Sequence, residues 1–264
     1  MKKGLTQICL GQESLIKDTL QLCRDTGYQG LEILLTEQGE LTTRSGPAEY
    51  TEIRRMADTA NIELTSICGF GSLTDDDPSV VANGKTIIRA MLAAAEGLGI
   101  DTVLVTGGRV NEKVAYDVAY DRLFSAIREL SADAERRRVN IALENIWNKL
   151  LLSPLEFRDF IDKIGSEYVG CYFDTANVML YGYPEQWIRI LGKRIKKVHF
   201  KDFKIDHEER RYEWTQLMEG AVGWPAVMRE LRAIGYDDYV ITEVCGDRET
   251  YAETCRIMDK ILAL

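Results

Sequence analysis

Residues 140–175 read NIALENIWNKLLLSPLEFRDFIDKIGSEYVGCYFDT and hold one full repeat of the pattern that decides the fold. A short apolar run, Asn140 to Asn145, carries Glu144 at its end. After a polar connection, Phe157, Phe160, Ile161 and Ile164 recur at the three- and four-residue spacing of a helix with one face to bury. Ser153, with Glu156 three residues on, supplies the pair of side chains that makes a capping box at a helix start. A second apolar run, Gly170 to Asp174, closes on another carboxylate. Strand, helix, strand is the unit of a parallel sheet, because the helix carries the chain back to start the next strand in the same direction.

Outward from this unit the same alternation reaches both ends of the chain. The other strand runs are Leu5 to Leu10, Gly30 to Leu35, Glu63 to Gly69, Thr102 to Thr106, Lys196 to Phe200 and Tyr239 to Val244, which makes eight in all. Amphipathic stretches lie between them, such as Ile87, Ile88, Met91, Leu92 and Ala95, or Leu123, Ala126, Ile127 and Leu130. Pro225 sits where a first helical turn accepts proline. Eight strands alternating with helices over 264 residues predict a closed (β/α)8 barrel forming a single domain, 1–264. After the first strand the chain reads Gly11-Gln12-Glu13-Ser14, with no G-x-G-x-x-G, so a dinucleotide-binding open sheet is disfavoured. The connection from Phe203 to Gly223, rich in charge at Glu208-Glu209-Arg210-Arg211 and containing Tyr212 and Trp214, reads as a solvated excursion or lid.

Composition narrows the partners. With 45% hydrophobic and 28% charged residues the chain can bury a sizeable core, and no stretch nears the roughly 18 unbroken apolar residues of a membrane span. Met-Lys-Lys-Gly-Leu-Thr-Gln opens no secretory signal, which predicts a cytoplasmic protein. A net charge of −9 repels nucleic acid, and the one dense basic run, Arg136-Arg137-Arg138, ends a helix where cations suit the dipole. Six cysteines include no C-x-x-C pair; Cys9, Cys68, Cys171 and Cys245 stand singly in strand-like segments and are expected as reduced, buried thiols.

In such a barrel the reactive groups sit at the C-terminal ends of strands. Four runs end in ionisable residues: Ala142-Leu143-Glu144-Asn145, Phe173-Asp174-Thr175, Val198-His199-Phe200-Lys201-Asp202 and Ile241-Thr242-Glu243-Val244. A carboxylate after a strand also serves as a helix N-cap, and any one of these alone fits that role equally well. Together they do not, because three carboxylates buried side by side need a cation to offset desolvation and repulsion. Three carboxylates and one imidazole, with no thiolate, suit Mn2+ first, with Mg2+, Co2+ and Zn2+ as compatible alternatives. Only two histidines exist; His207, within Asp206-His207-Glu208-Glu209, reads as solvated and incidental.

In order and spacing these four segments resemble the xylose-isomerase-like TIM-barrel superfamily, above all its sugar phosphate isomerase/epimerase branch of D-tagatose 3-epimerase-like and L-ribulose-5-phosphate 3-epimerase-like enzymes. The likeness covers essentially the whole chain and is strongest over 139–245. Met218-Glu219-Gly220, ahead of Trp224-Pro225-Ala226-Val227, is similar to that family's Gly-Glu-Gly loop. The resemblance implies one divalent ion on Glu144, Asp174, His199 and Glu243, with the catalytic Glu144 and Glu243 facing each other across a small-molecule sugar or sugar phosphate. One glutamate would take the proton beside the carbonyl and the other return one, giving an epimer or an aldose–ketose isomer. It also implies a homodimer or homotetramer. The chain departs from many of these epimerases at Asn177, where they have histidine, at Ile205, where they have arginine, and at Met218, where glycine is usual. An inosose-dehydratase-like lyase would use the same metal site to expel a β-hydroxyl. A sugar-binding barrel without catalysis is a further reading, whereas an endonuclease-IV-like metal cluster needs more histidines than the chain has.

Around this set stand further candidates. Lys201 would hold a substrate oxygen or phosphate, or else pair with Glu219 or Asp174. Trp147 would wall a sugar, or pack beneath its loop. Asn177 and Glu219 are substrate-binding candidates by family position. Arg109, after Thr106-Gly107-Gly108, and Arg248 would grip a phosphate, or be ordinary surface arginines. Cys68 would line the pocket, or simply be a small buried residue.

Overall fold

The computed structural model describes residues 1–206 and 211–264. Eight parallel strands form a closed barrel: β1 (Lys2–Thr6), β2 (Gly30–Leu35), β3 (Glu63–Gly69), β4 (Thr102–Val105), β5 (Asn140–Glu144), β6 (Val169–Asp174), β7 (Ile195–Phe200) and β10 (Tyr239–Thr242). Each pairs with the next in this order, and β10 pairs with β1 to complete the circle. Helices α1 (Ile16–Thr26), α2 (Pro47–Ala60), α3 (Pro78–Leu98), α4 (Tyr116–Arg137), α5 (Pro154–Ile164), α6 (Pro184–Leu191), α7 (Trp224–Ala233) and α8 (Arg248–Leu262) alternate with these strands. None is long and apolar enough to cross a membrane.

Parallel strands wrapped by helices are buried on both faces, which is why their sequences run apolar without strict alternation. One set of side chains fills the barrel interior, namely Leu34, Cys68, Leu104, Ala142, Tyr172, Tyr239 and Ile241. The other fills the layer between strands and helices, where Phe157, Phe160, Trp187, Phe200 and Met258 are all at most 2% exposed. Each such side chain contributes about 1.5–3 kcal/mol of burial. The helix that follows β5 starts as expected at Ser153, whose hydroxyl accepts the Glu156 N–H at 3.1 Å. The Glu156 carboxylate, however, takes the Leu152 N–H and the Tyr116 hydroxyl, so the reciprocal half of a capping box is replaced by a tie to α4.

Three sequence expectations change. The first strand ends at Thr6, and Gln7–Leu10 turn away as a 3-10 helix. The Thr6 hydroxyl accepts the Ile8 N–H, while the Gln7 amide accepts the Leu34 N–H at 2.9 Å and donates to the Ser14 carbonyl at 2.8 Å, so Ile8-Cys9-Leu10 leaves the strand ladder, with Ile8 still packed against the barrel interior. The connection after β7 is no plain excursion: β8 (Asp202–Asp206) and β9 (Arg211–Thr215) pair as an antiparallel hairpin, matching Phe203 with Trp214 and Ile205 with Tyr212. Period-two alternation of those residues gives the hairpin one apolar face, which the adjoining charges concealed. Finally, Cys9 and Cys245 are not reduced thiols but a disulfide, with Cα atoms 4.7 Å apart. Their partners lie 236 residues apart in sequence and meet only because β1 and β10 are neighbours. Cys68 and Cys171 are free and buried, as are Cys23 and Cys255.

Candidate metal centre

Glu144 ends β5, Asp174 ends β6, His199 lies one residue before the end of β7, and Glu243 follows β10 directly. Strands β5, β6 and β7 are adjacent, and β10 borders β7, so four consecutive barrel strands deliver the four side chains to one rim. Their ligand atoms all lie within 4.8 Å of one another. Asn145 locks the rim: its amide accepts the Asp174 N–H and donates to the Asp174 carbonyl, both at 2.9 Å.

Asp174 takes the capping role with one oxygen and leaves the other open. Its Oδ1 accepts the N–H groups of Ala176 and Asn177, at 2.8 and 2.7 Å, and so caps the turn that follows β6. Its Oδ2 is buried with no hydrogen-bond partner. Leaving a buried carboxylate oxygen unsatisfied is costly, and a cation on the shared ligand set removes that cost. The residues present therefore fit a divalent ion. Burial pushes the Asp174 carboxyl above the usual range, against the pull of Lys201. Burial likewise raises Glu144 to about 7, although the hydrogen bond from His199 works against it.

His199 is held on both sides of its ring. Nδ1 lies 3.2 Å from Glu144 Oε1 and 3.5 Å from Glu243 Oε2. Nε2 lies 3.1 Å from Glu32 Oε1. Burial alone would lower the imidazole, but the charges of Glu32 and Glu144 and their hydrogen bonds hold it well above its usual range. Glu32, in the middle of β2, is fully buried and also takes hydrogen bonds from Thr6 (2.7 Å), Ser66 (2.8 Å) and Tyr172 (2.6 Å). Burial raises its carboxyl, yet these donors and the His199 charge outweigh it and keep Glu32 below the usual carboxylate range. Glu32 was missed at the sequence level because it is no strand-end residue. Its signal was a single charge inside Gly30-Leu31-Glu32-Ile33-Leu34-Leu35, a run whose two faces are both buried.

Lys201 pairs with Glu243, at 3.1 Å, and its ammonium lies 4.2 Å from the centre of the Trp214 ring. Burial would lower Lys201, but Asp174, Glu243 and Glu144 outweigh it and raise the ammonium above its usual range. Trp147, 44% exposed on the loop after β5, donates its indole N–H to the Asn177 carbonyl at 2.8 Å. It stacks on Trp214 of the hairpin, with centroids 4.7 Å apart and planes 24° apart. Loop and hairpin thus make an aromatic wall that reaches the four-residue cluster through Lys201, which lies under Trp214 and pairs with Glu243. Asn177 is buried beneath it, and Ile205 sits in β8 opposite Tyr212, so that position of the hairpin carries an apolar side chain.

The remaining candidates fall in different places. Glu219 is exposed and takes a hydrogen bond from Thr215 at 3.3 Å. Cys68 packs in the barrel interior, where burial pushes its thiol well up. Arg248 pairs with Asp25 at 2.8 Å, whereas Arg109 is exposed at the rim beyond β4. His207 lies outside the described residues. Asp202, fully buried, joins hairpin to α7 by accepting the N–H groups of Met218 (2.9 Å) and Val222 (3.1 Å) and the Trp224 indole (3.0 Å). Gly220 is required there, since a Cβ would come 2.1 Å from Asp202 Oδ1. Met218, by contrast, occupies a left-handed conformation with φ 68°.

A family model described as "Xylose isomerase-like TIM barrel" matches residues 20–261. The chain is 24% identical over 190 residues to 2-epi-5-epi-valiolone 7-phosphate 2-epimerase of Actinoplanes sp., covering 69% of this chain and 66% of that protein, just under two thirds of its length. It is 21% identical over 258 residues to L-ribulose-5-phosphate 3-epimerase UlaE of Shigella flexneri serotype 5b, covering 93% of this chain and 88% of the other. Among solved structures, D-psicose 3-epimerase in the presence of D-fructose superposes with a TM-score of 0.82 over 100% of both chains at 19% identity. That likeness is one of fold.

Proposed function

The chain belongs to the xylose isomerase-like TIM barrel family, and from that premise we propose that it is a divalent-metal-dependent isomerase or epimerase of a ketose or sugar phosphate. The observation that carries this reading is the unpartnered, buried Asp174 Oδ2 within a set of four ligand atoms no more than 4.8 Å apart. Similarity to proteins named as epimerases of sugar phosphates supports the substrate class.

Glu144, Asp174, His199 and Glu243 would hold the ion, and the mostly oxygen donor set favours Mn2+. When bound, a divalent ion supplies Lewis-acid polarisation of a carbonyl, which acidifies the neighbouring C–H. The chain's own groups do the rest. Glu144 and Glu243 come from β5 and from beyond β10, two strands separated by β6 and β7, and would flank the substrate. One removes the proton next to the carbonyl and the other delivers one, which inverts that carbon or moves the carbonyl. Lys201 is placed to donate to an oxygen that becomes negative during proton loss, and the Trp147–Trp214 wall excludes water from one side.

The test pairs metal analysis with an NMR screen for solvent deuterium exchange over ketoses, their phosphates and inososes with added Mn2+. Exchange at the carbon beside the carbonyl in the wild type, lost in Glu243→Gln, is the expected result. A wild type that binds no ion and exchanges no proton on any of them would sink the reading, and loss of water from the product would assign a lyase instead.

A further inference from the structure

A second feature of the same rim bears on the substrate's far end. A cavity of about 520 Å3 opens at the ends of β3, β4 and β5, bordered by Phe70, Ser72, Thr106, Arg109, Ile146 and Trp147. Trp147 belongs to both this cavity and the aromatic wall, and Ile146, two residues beyond Glu144, borders the cavity too, so the cavity lies beside the loop that leaves β5.

Arg109 is unusual in how it is held. Its backbone is fixed: the buried Thr74 hydroxyl accepts the Arg109 N–H at 2.8 Å and donates to the Arg109 carbonyl at 3.0 Å. Gly108, at φ 113°, allows that approach, since a Cβ there would lie 2.3 Å from the same hydroxyl. Asn148, the neighbour of Trp147, donates to the Gly108 carbonyl at 2.8 Å, and its own carbonyl accepts the Val110 N–H at 2.9 Å. The guanidinium itself is free; among the described residues none pairs with it. Arg122, by contrast, is bound to Asp76 at 3.3 Å and to the Asp75 carbonyl at 2.7 Å. A rigid main chain carrying an uncommitted cation beside a cavity is the arrangement of an anion-binding group, and the fork of a guanidinium matches phosphate oxygens better than an ammonium does. The hydroxyls of Ser72 and Thr106 border the same cavity and add donors for a third oxygen.

We propose that this cavity takes the terminal phosphate monoester of the substrate, with Arg109 as its anchor, so that the preferred substrate is a phosphorylated sugar and not the free ketose. This rests on the reading of the metal centre given above. Arg248, already paired with Asp25, takes no part.

Two arms separate this inference from that reading. In the first, calorimetric titration with glycerol 3-phosphate and with glycerol compares the metal-loaded wild type with Arg109→Ala, Arg109→Lys and Arg248→Ala. Arg109→Ala should weaken binding of the phosphate by roughly 10- to 100-fold, as loss of charge-assisted hydrogen bonds does, with Arg109→Lys between and Arg248→Ala unchanged. Equal binding by wild type and Arg109→Ala overturns the inference. In the second arm, deuterium exchange is followed on a ketose and its terminal phosphate. A phosphate preference expressed in KM and lost in Arg109→Ala supports the inference, and exchange that ignores Arg109 on both substrates overturns it while leaving the metal reading intact. Arg109-dependent phosphate binding without exchange on any substrate would keep the subsite and remove the metal reading.

Discussion

Glu32 Oε1 lies 3.1 Å from His199 Nε2, on the side of the imidazole away from Glu144. With Nε2 committed to a buried carboxylate, Nδ1 is the nitrogen left to face the acidic cluster, so Glu32 fixes both the ring orientation and the ligand atom. Such outer partners also raise the basicity of the ligand. Replacing Glu32 with glutamine keeps the volume but removes the charge, and metal affinity should fall by about 10- to 100-fold. Competition against a fluorescent chelator measures it, and the absorption spectrum of the Co2+ form should shift as the imidazole loosens. An unchanged affinity and spectrum would mean that Glu32 is only a satisfied core residue.

Metal binding should release protons. In the metal-free protein Glu144 titrates near 7 and His199 well above its usual range, so both carry protons that a cation must displace. Affinity should therefore climb as pH rises through 7, and calorimetry in buffers of different ionisation enthalpy should show more protons released at pH 6 than at pH 8. Stability of the metal-free protein runs the other way for Glu144. Its folded-state value lies above the unfolded one, so the folded chain retains a proton that the unfolded chain has lost. That part of the stability is present in mild acid and declines as pH rises toward 7. Proton release that does not vary with pH would contradict this account.

The junction at Asp202 should be sensitive to substitution. Asp202→Ala strands the Met218 and Val222 N–H groups and the Trp224 indole, and should cost about 3 kcal/mol or more in chemical denaturation. Met218→Gly should go in the opposite direction, gaining up to about 1 kcal/mol, because a left-handed conformation penalises a residue with a Cβ. The Met218 side chain is 47% exposed, so little burial is lost in exchange.

Trp214→Ala removes the ring that stacks on Trp147 and lies over Lys201. If the wall orients a sugar, KM should rise about 2- to 10-fold with kcat little changed, in line with the strength of a stacked pair. Steady-state kinetics on the substrate identified by the exchange screen reads this directly. A fall in kcat at constant KM would instead place Trp214 in support of the Lys201 ammonium.

What was legible in the sequence followed from where chemistry sits in a parallel barrel. Glu144, Asp174, His199 and Glu243 each close an apolar run, and the runs count to eight, so both the barrel and the gathering of these four side chains could be read from strand ends. Glu32 and His199 escaped as a pair because β2 and β7 are not neighbours, and their contact exists only across the closed interior. The hairpin was hidden by charge: Phe203, Ile205, Tyr212 and Trp214 alternate correctly, but the intervening Glu208-Glu209-Arg210-Arg211 pulled the reading toward solvent. Asp174 reads as a metal ligand, and its capping of the turn after β6 through Oδ1 does not show, because that turn's backbone geometry is not written in the residue types.

The Cys9–Cys245 bond joins the 3-10 helix after β1 to the loop after β10, at the seam where the first and last barrel strands meet. Hydrogen bonds already close that seam, and the disulfide closes it a second time covalently, turning most of the polypeptide into a ring with two short tails. One tail is the β1 strand and the other is α8. A backbone break in any loop between Cys9 and Cys245 would then leave a nicked but covalently whole molecule, whose fragments part only after reduction.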